Sequence, residues 1–161
     1  MRRVGKILLT VFVVLVLPVL RCYADDDEPY RYGALDSLLT QFYVSLEPES
    51  VEVKNKEFDG LIGVCTDSLT RQHVALRILN HYMHARVMGE EAVAIHIFDE
   101  WLKSGKVKAT SEFEYMEAEM FANCNRRSLL GMTAEKIPLI KPSGRKMIVP
   151  EDGKIAVLFF Y

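Results

Sequence analysis

The final seven residues of the sequence, at positions 155–161, form an unbroken apolar run, Ile-Ala-Val-Leu-Phe-Phe-Tyr. A run of this length is typical of a β-strand that is covered on both faces. Such a strand needs neighbouring strands on both sides, because an uncovered one is an exposed edge that promotes aggregation. We therefore expect these 161 residues to contain the first strands of a sheet whose remaining strands they lack.

The residues ahead of this run predict a β-hairpin. Residues 137–140 and 147–149 are mostly apolar and have no helical period, and a Pro-Ser-Gly segment that ends at Gly144 lies between them. That composition favours a turn between two short strands. A second turn is predicted at residues 150–153, and it leads into the final apolar run.

The order and spacing of residues across positions 131–161 resemble the opening of a TlpA-like thioredoxin-fold domain. Exported members of that family begin with a Gly-x-x-Ala-x-x-Phe segment, a turn that contains glycine, a short strand, and a central strand that ends in Phe-Trp or Phe-Tyr. Ile137 stands where the family usually has an aromatic residue. The segments that carry the resemblance are Gly131-x-x-Ala134-x-x-Ile137-x-Leu139, Ser143-Gly144-Arg145-Lys146-x-Ile148 and Gly153-Lys154-x-Ala156-Val157-Leu158-Phe159-Phe160-Tyr161.

The resemblance implies a thiol-disulfide oxidoreductase of the cell envelope, with protein thiols or disulfides, or another envelope protein, as partners. In that family an active-site Cys-x-x-Cys follows the central strand at the start of a helix, where an activated thiolate exchanges disulfides. No Cys-x-x-Cys occurs in this sequence. We therefore assign no catalytic residue, expect the chain itself to be inactive, and interpret it as truncated just before the redox motif.

The helical part of the sequence is predicted at residues 33–130. Apolar side chains recur every three or four residues across 34–47, which predicts a helix that Pro48 ends. A polar connection is expected at residues 49–60, and it leads to an apolar segment at 61–65.

A second helix is predicted from the potential caps Thr66 and Asp67 to Val87, just ahead of Gly89. Its expected buried stripe contains Leu69, Leu76, Leu79, Met83 and Val87, flanked by Val74, Ile78 and Tyr82.

Two further helices are predicted by local signals. One covers residues 90–103, begins with two glutamates and ends before Gly105. The other begins at the capping box formed by Ser111 and Glu114. It is expected to bury Phe113, Met116, Met120, Phe121 and Cys124. The short connections predict that neighbouring helices are antiparallel.

Residues 1–24 have the pattern of a secretory signal peptide that is cut after Ala24, with a basic start and an apolar run. The run, residues 7–20, is shorter than the ~20 residues of a spanning helix, which disfavours an uncleaved anchor. Lipid attachment at Cys22 is a second alternative, and the charged Arg21 before it argues against that processing. The sequence therefore predicts an exported protein of the periplasm or cell envelope.

Removal of the signal peptide changes the charge of the chain. Residues 25–32 form an acidic leader, and the chain from residue 25 onward has 16 Lys and Arg against 22 Asp and Glu, a net charge of about −6. Affinity for nucleic acid depends on Lys and Arg that neutralise phosphates. Composition therefore disfavours a nucleic-acid partner.

The chain from residue 25 onward contains two cysteines, Cys65 and Cys124. An exported protein often pairs its cysteines, and closing this loop would stabilise the fold by roughly 4 kcal/mol. In an up-down-up arrangement of three helices, however, the two thiols are separated by about 20 Å of helical rise. Two buried, unpaired thiols are the favoured interpretation, and a disulfide is the alternative.

Other candidate sites have simpler explanations. His81 and His84 share a helix face and could hold a metal ion, but no Asp, Glu or Cys lies at positions 80–85 to complete the ligand set. An acidic cluster of Glu112, Glu114, Glu117 and Glu119 fits a solvated helix face. An aromatic and methionine stripe fits core packing between helices, with Phe98, Trp101, Phe113, Met116, Met120 and Phe121 as its members. We assign no metal and no cofactor.

The predicted fold is mainly α, an antiparallel helical domain at residues 33–130 followed by the first β-strands of an incomplete thioredoxin-like α/β module at 131–161. The predicted function is the N-terminal portion of an exported thioredoxin-like oxidoreductase. The alternative is a noncatalytic secreted helical binding or scaffold protein whose terminal strand is completed by a partner.

Overall fold

The computed structural model describes residues 32–150 and Val157. The predicted signal peptide, the acidic leader up to residue 31, and the final apolar strand apart from Val157 lie outside the described residues. None of the helices in the described part is long and apolar enough to cross a membrane.

The described residues confirm the mainly helical class and the small antiparallel sheet that follows the helices. α4 packs against α2, α3 and α5, and is therefore central to the helical domain. The elements are α1 (Gly33–Leu46), α2 (Val51–Val64), α3 (Ser68–Met83), α4 (Glu91–Ile97), a π-helix that continues α4 (Phe98–Lys103), α5 (Glu112–Asn125), β1 (Ile137–Ile140) and β2 (Lys146–Val149).

The core contains buried side chains from all five α-helices and from the π-helix. An aromatic cluster joins α1, α2 and α3, with Phe58 of α2 at its centre. Its ring makes edge contacts with Phe42, Tyr43 and Tyr82 at centroid distances of 5.9, 6.1 and 5.4 Å. Burial of such aromatic side chains is a large stabilising contribution.

The prediction of a polar connection at residues 49–60 was wrong, because this segment belongs to α2 (Val51–Val64). Its buried positions are Lys54, Phe58, Leu61 and Ile62, which recur with the period of a helix. A lysine occupies the place of an apolar residue in this stripe, and so the helical pattern was hidden in the sequence.

The second predicted helix is confirmed, but it ends at Met83 and not at Val87. Leu76 and Leu79 of the predicted stripe are buried, as are the flanking Val74, Ile78 and Tyr82. Leu69 and Val87, also assigned to the stripe, are exposed. The chain turns before Gly89, whose φ of +98° favours glycine. A Cβ atom at Gly89 would also lie 2.6 Å from the Leu130 Cδ1 atom.

Of the predicted N-terminal caps, Asp67 and Ser111 are confirmed, while Thr66 is not the N-cap of α3. The Asp67 carboxylate accepts hydrogen bonds from the backbone N–H and the hydroxyl of Thr70, at 2.7 and 2.8 Å. The Ser111 hydroxyl accepts from the Glu114 N–H at 3.2 Å. The Glu114 carboxylate reaches back to the N–H of Thr110, one residue before the expected position.

The predicted buried face of α5 was wrong. The buried residues of this helix are Ala118 and Ala122, while Phe113, Met116 and Met120 are 75%, 63% and 64% exposed. Small side chains allow α5 to lie close to α4, which the bulkier face could not do. Cys124 is exposed and Phe121 is half-buried on the sides of the helix.

The predicted hairpin is confirmed. β1 and β2 are antiparallel, with Ile137 opposite Val149 and Ile140 opposite Lys146. The turn closes with hydrogen bonds from the Lys141 N–H to the Arg145 carbonyl and from the Gly144 N–H to the Lys141 carbonyl.

Candidate functional cleft

A cleft of about 510 Å³ lies between α1, the end of α3 and the segment that leads to α4. Such a cleft, lined by aromatic and titratable groups, is the usual place to look for a binding site. Its lining residues are Tyr43, Val44, Glu47, Lys54, His81, Tyr82, His84, Ala85, Arg86, Val87 and Glu90.

An ion pair between a buried lysine and a part-buried glutamate lies at the inner end of this cleft. The Lys54 ammonium group pairs with the Glu90 carboxylate and donates a hydrogen bond to the Glu47 carbonyl at 3.4 Å. Lys54 is only 2% exposed, and its Nζ lies 6.0 Å from the centre of the Tyr82 ring. The pair therefore joins α2 to the start of α4 across the floor of the cleft.

The side wall of the cleft is a stacked aromatic pair, Tyr43 and His81, with ring centroids 3.9 Å apart and an angle of 11°. A smaller cavity of about 240 Å³ lies on the other side of this pair, lined in part by Asp36 and Arg77. Burial lowers the pKa of His81, so its ring favours the neutral form.

The two tyrosines of the cleft remain protonated at neutral pH. Burial raises the pKa of Tyr43 and of Tyr82 far above the usual value of a phenol. The Tyr43 hydroxyl is buried, and no group in the described part of the chain lies within hydrogen-bond distance of it.

Two histidines outside the cleft connect helices through carboxylates. The His73 ring lies 2.7 Å from the Asp36 carboxylate and stacks on Tyr32. The His96 ring lies 2.9 Å from Asp59, which also accepts a hydrogen bond from the Trp101 indole at 2.7 Å. These contacts join α1 to α3 and α2 to α4, and they give both histidines a role in packing.

The two histidines considered as metal ligands have other partners. His81 stacks on Tyr43, and the His84 Nδ1 atom lies 3.0 Å from the Asn80 carbonyl. Within residues 32–150, no three His, Cys, Asp or Glu side chains are grouped so that they could hold a metal ion.

The two cysteines occupy different environments and are both free thiols in the structure. Cys65 is buried after α2, where its thiol donates to the Leu61 carbonyl at 3.4 Å, while Cys124 is exposed on α5. Burial raises the pKa of the Cys65 thiol. A buried thiol of raised pKa is a weak nucleophile.

We expect the two thiols to differ strongly in reactivity. In the chain that begins at Asp25, Cys124 should react rapidly with a thiol reagent, and Cys65 at least ~100-fold more slowly until urea is added. The Cys124→Ser variant should lack the fast reaction. If no thiol reacts even in urea without a reductant, the cysteines are joined in a disulfide and this expectation is wrong.

The residues that line the cleft include no Ser, Thr or Cys. The buried Lys54 ammonium group and the part-buried Glu90 carboxylate pair with each other.

Of the cleft residues, His81 and His84 were predicted from the sequence as candidate site residues, whereas Lys54, Glu90 and Tyr43 were not. A lysine three residues after Val51 and four before Phe58, within an apolar stripe, was the signal available in the sequence. The acidic cluster on α5 is partly structural, since Glu114 caps the helix while Glu112 and Glu117 are exposed. Of the aromatic and methionine stripe, Phe98 is buried and Trp101 half-buried.

Comparison of the chain with protein-family models, with curated proteins and with solved structures finds no match.

Proposed function

We propose that this chain is the helical N-terminal portion of an exported thioredoxin-like thiol-disulfide oxidoreductase of the cell envelope. In this proposal residues 33–130 form a noncatalytic helical domain, and residues 131–161 supply the opening strands of the thioredoxin-like module. The 161 residues contain no Cys-x-x-Cys, so they contribute no disulfide exchange of their own.

The hairpin of β1 and β2 is the observation that carries this proposal. It follows the helices within the segment that resembles a TlpA-like domain, and its turn contains Gly144, as the resemblance requires. Ile137, Ile140 and Ile148 are exposed on it. A two-stranded sheet is marginal alone, and exposed apolar residues on it support the addition of further strands and a covering layer.

A fusion tests the proposal. The chain is joined at Tyr161 to the remainder of a TlpA-like enzyme that lacks its own opening strands and begins just ahead of its Cys-x-x-Cys. We expect the fusion to reduce insulin with dithiothreitol, and the unfused 161-residue chain to give only the reagent blank. A matched fusion with Ile148→Asp should lose most of this activity, because a charge would enter the new core.

Two results would contradict the proposal. One is an inactive fusion when the same remainder, joined to its own opening strands, is active. The other is insulin reduction by the unfused chain, since the proposal assigns that activity to a Cys-x-x-Cys that these 161 residues do not contain.

A noncatalytic binding or scaffold protein is the second candidate function. The exposed face of α5 favours it, because three large apolar side chains of one helix face solvent there. Exposed apolar patches of this kind often mark sites of protein association. An inactive fusion together with specific binding at α5 would favour this second function.

A further inference from the structure

The exposed apolar residues of α5 lie in one line along the helix. Phe113, Met116 and Met120 have the spacing i, i+3 and i+7, which places them on the same face over about 10 Å of helix length. We name these three residues the α5 stripe. The opposite face holds the buried Ala118 and Ala122, so packing of α5 on the domain leaves the stripe uncovered within the described residues.

Acidic side chains border the α5 stripe on both sides. In helical projection Glu117 lies on one side, and Glu112 and Glu119 lie on the other. The helix from Glu112 to Asn125 contains no Lys or Arg. The guanidinium groups of Arg126 and Arg127, which follow it, pair with Asp99 and Glu135.

The charge of this border decides which occupant the stripe favours. Two α5 helices from two copies of the chain would place glutamates against glutamates, which destabilises a contact. An anionic lipid surface would be repelled for the same reason. A partner with Lys or Arg at the edge of the contact binds more favourably, because these cationic side chains can pair with the glutamates that border the stripe.

We propose that the α5 stripe binds an amphipathic helix of a partner protein, one whose apolar seam is bordered by Lys and Arg. Apolar anchors at i, i+3 and i+7 are the pattern by which one helix packs along another. Methionine side chains adapt to different apolar partners, and the glutamates fix the sign of the charge beside the seam. This inference does not depend on the thioredoxin-like proposal.

The test uses a synthetic peptide as the probe. A fluorescent 14-residue peptide of Leu and Lys, patterned with a helical period, is titrated with the protein, and a matched peptide of Leu and Glu is titrated in parallel. We expect saturable binding of the Leu/Lys peptide only. Phe113→Ser and Met120→Ser should each weaken it at least tenfold, and Glu117→Lys should do so in low salt.

Matched surface variants control for general effects. Val64→Ser removes an exposed apolar residue from α2, and Glu49→Lys makes the same charge change outside α5. Both should bind the Leu/Lys peptide within about twofold of the unchanged protein. Circular dichroism of every variant establishes that the helices are retained.

Four outcomes would overturn the inference. If the Leu/Glu peptide bound as tightly as the Leu/Lys peptide, the stripe would not select its partner by charge. Affinity that is unchanged in Phe113→Ser and Met120→Ser would exclude the stripe as the site. A dimer of the unchanged protein that Phe113→Ser abolishes would identify a second copy as the occupant, and vesicle binding that Phe113→Ser abolishes would identify a lipid surface.

Discussion

Replacement of Glu90 by alanine is expected to lower the free energy of unfolding by about 3 kcal/mol. Lys54 is buried in the helical domain, and the Glu90 carboxylate is the anionic partner of its ammonium group. Without that carboxylate, the Lys54 ammonium group, whose side chain is 3% exposed, loses its anionic partner and keeps only a hydrogen bond to the Glu47 carbonyl. Urea titration followed by circular dichroism measures the change.

Two control variants test whether the loss of stability comes from the burial of Lys54 or from the loss of an ion pair in general. Glu100→Ala removes a carboxylate that pairs with Lys106 at 3.4 Å, where both side chains are more than half exposed. Its effect should be below about 0.5 kcal/mol, because surface pairs contribute little. The double variant Lys54→Met with Glu90→Met removes both buried charges, and it should recover most of the stability that Glu90→Ala loses. Equal effects of Glu90→Ala and Glu100→Ala would contradict the role assigned to burial.

The Lys54–Glu90 pair also shows why part of this site was not predictable from sequence. The two residues are 36 positions apart, and no local signal joins them. In the sequence, Lys54 has the character of a surface residue, and it is buried only because α2 packs against α4. A charged residue in an apolar stripe weakens the helical pattern that prediction depends on.

The elements that were predicted correctly depend on local chemistry. Asp67 and Ser111 cap helices through hydrogen bonds within three residues. Pro48 restricts the backbone just after α1, and Gly144 permits the positive φ of 78° in the hairpin turn. Such signals act before tertiary packing forms. They account for four of the predicted element boundaries without any long-range contact.

The wrong face predicted for α5 has a tertiary cause. α5 has one face of large apolar side chains and another that contains Ala118 and Ala122, and hydrophobicity favours the first. The alanine face is buried instead, because its small side chains allow α5 to pack closer to α4 than the large side chains would. Which apolar face is buried therefore cannot be read from the sequence of one helix.

Phe58→Ala is expected to cost about 4 kcal/mol of unfolding free energy, which would be the largest effect of a single substitution considered for this chain. The Phe58 side chain is fully buried and contacts the rings of Phe42, Tyr43 and Tyr82. Its removal leaves a cavity where α1, α2 and α3 meet. Thermal and urea unfolding should both report the loss.

The same substitution at Phe113 is the matched control. Phe113 is three-quarters exposed on α5, and alanine is a better helix former than phenylalanine, so Phe113→Ala should change stability by less than about 0.5 kcal/mol. The pair of variants also tests the assignment of residues 51–64 to a core helix. If Phe58 belonged to an exposed polar connection and Phe113 to the core, the order of the two effects would be reversed.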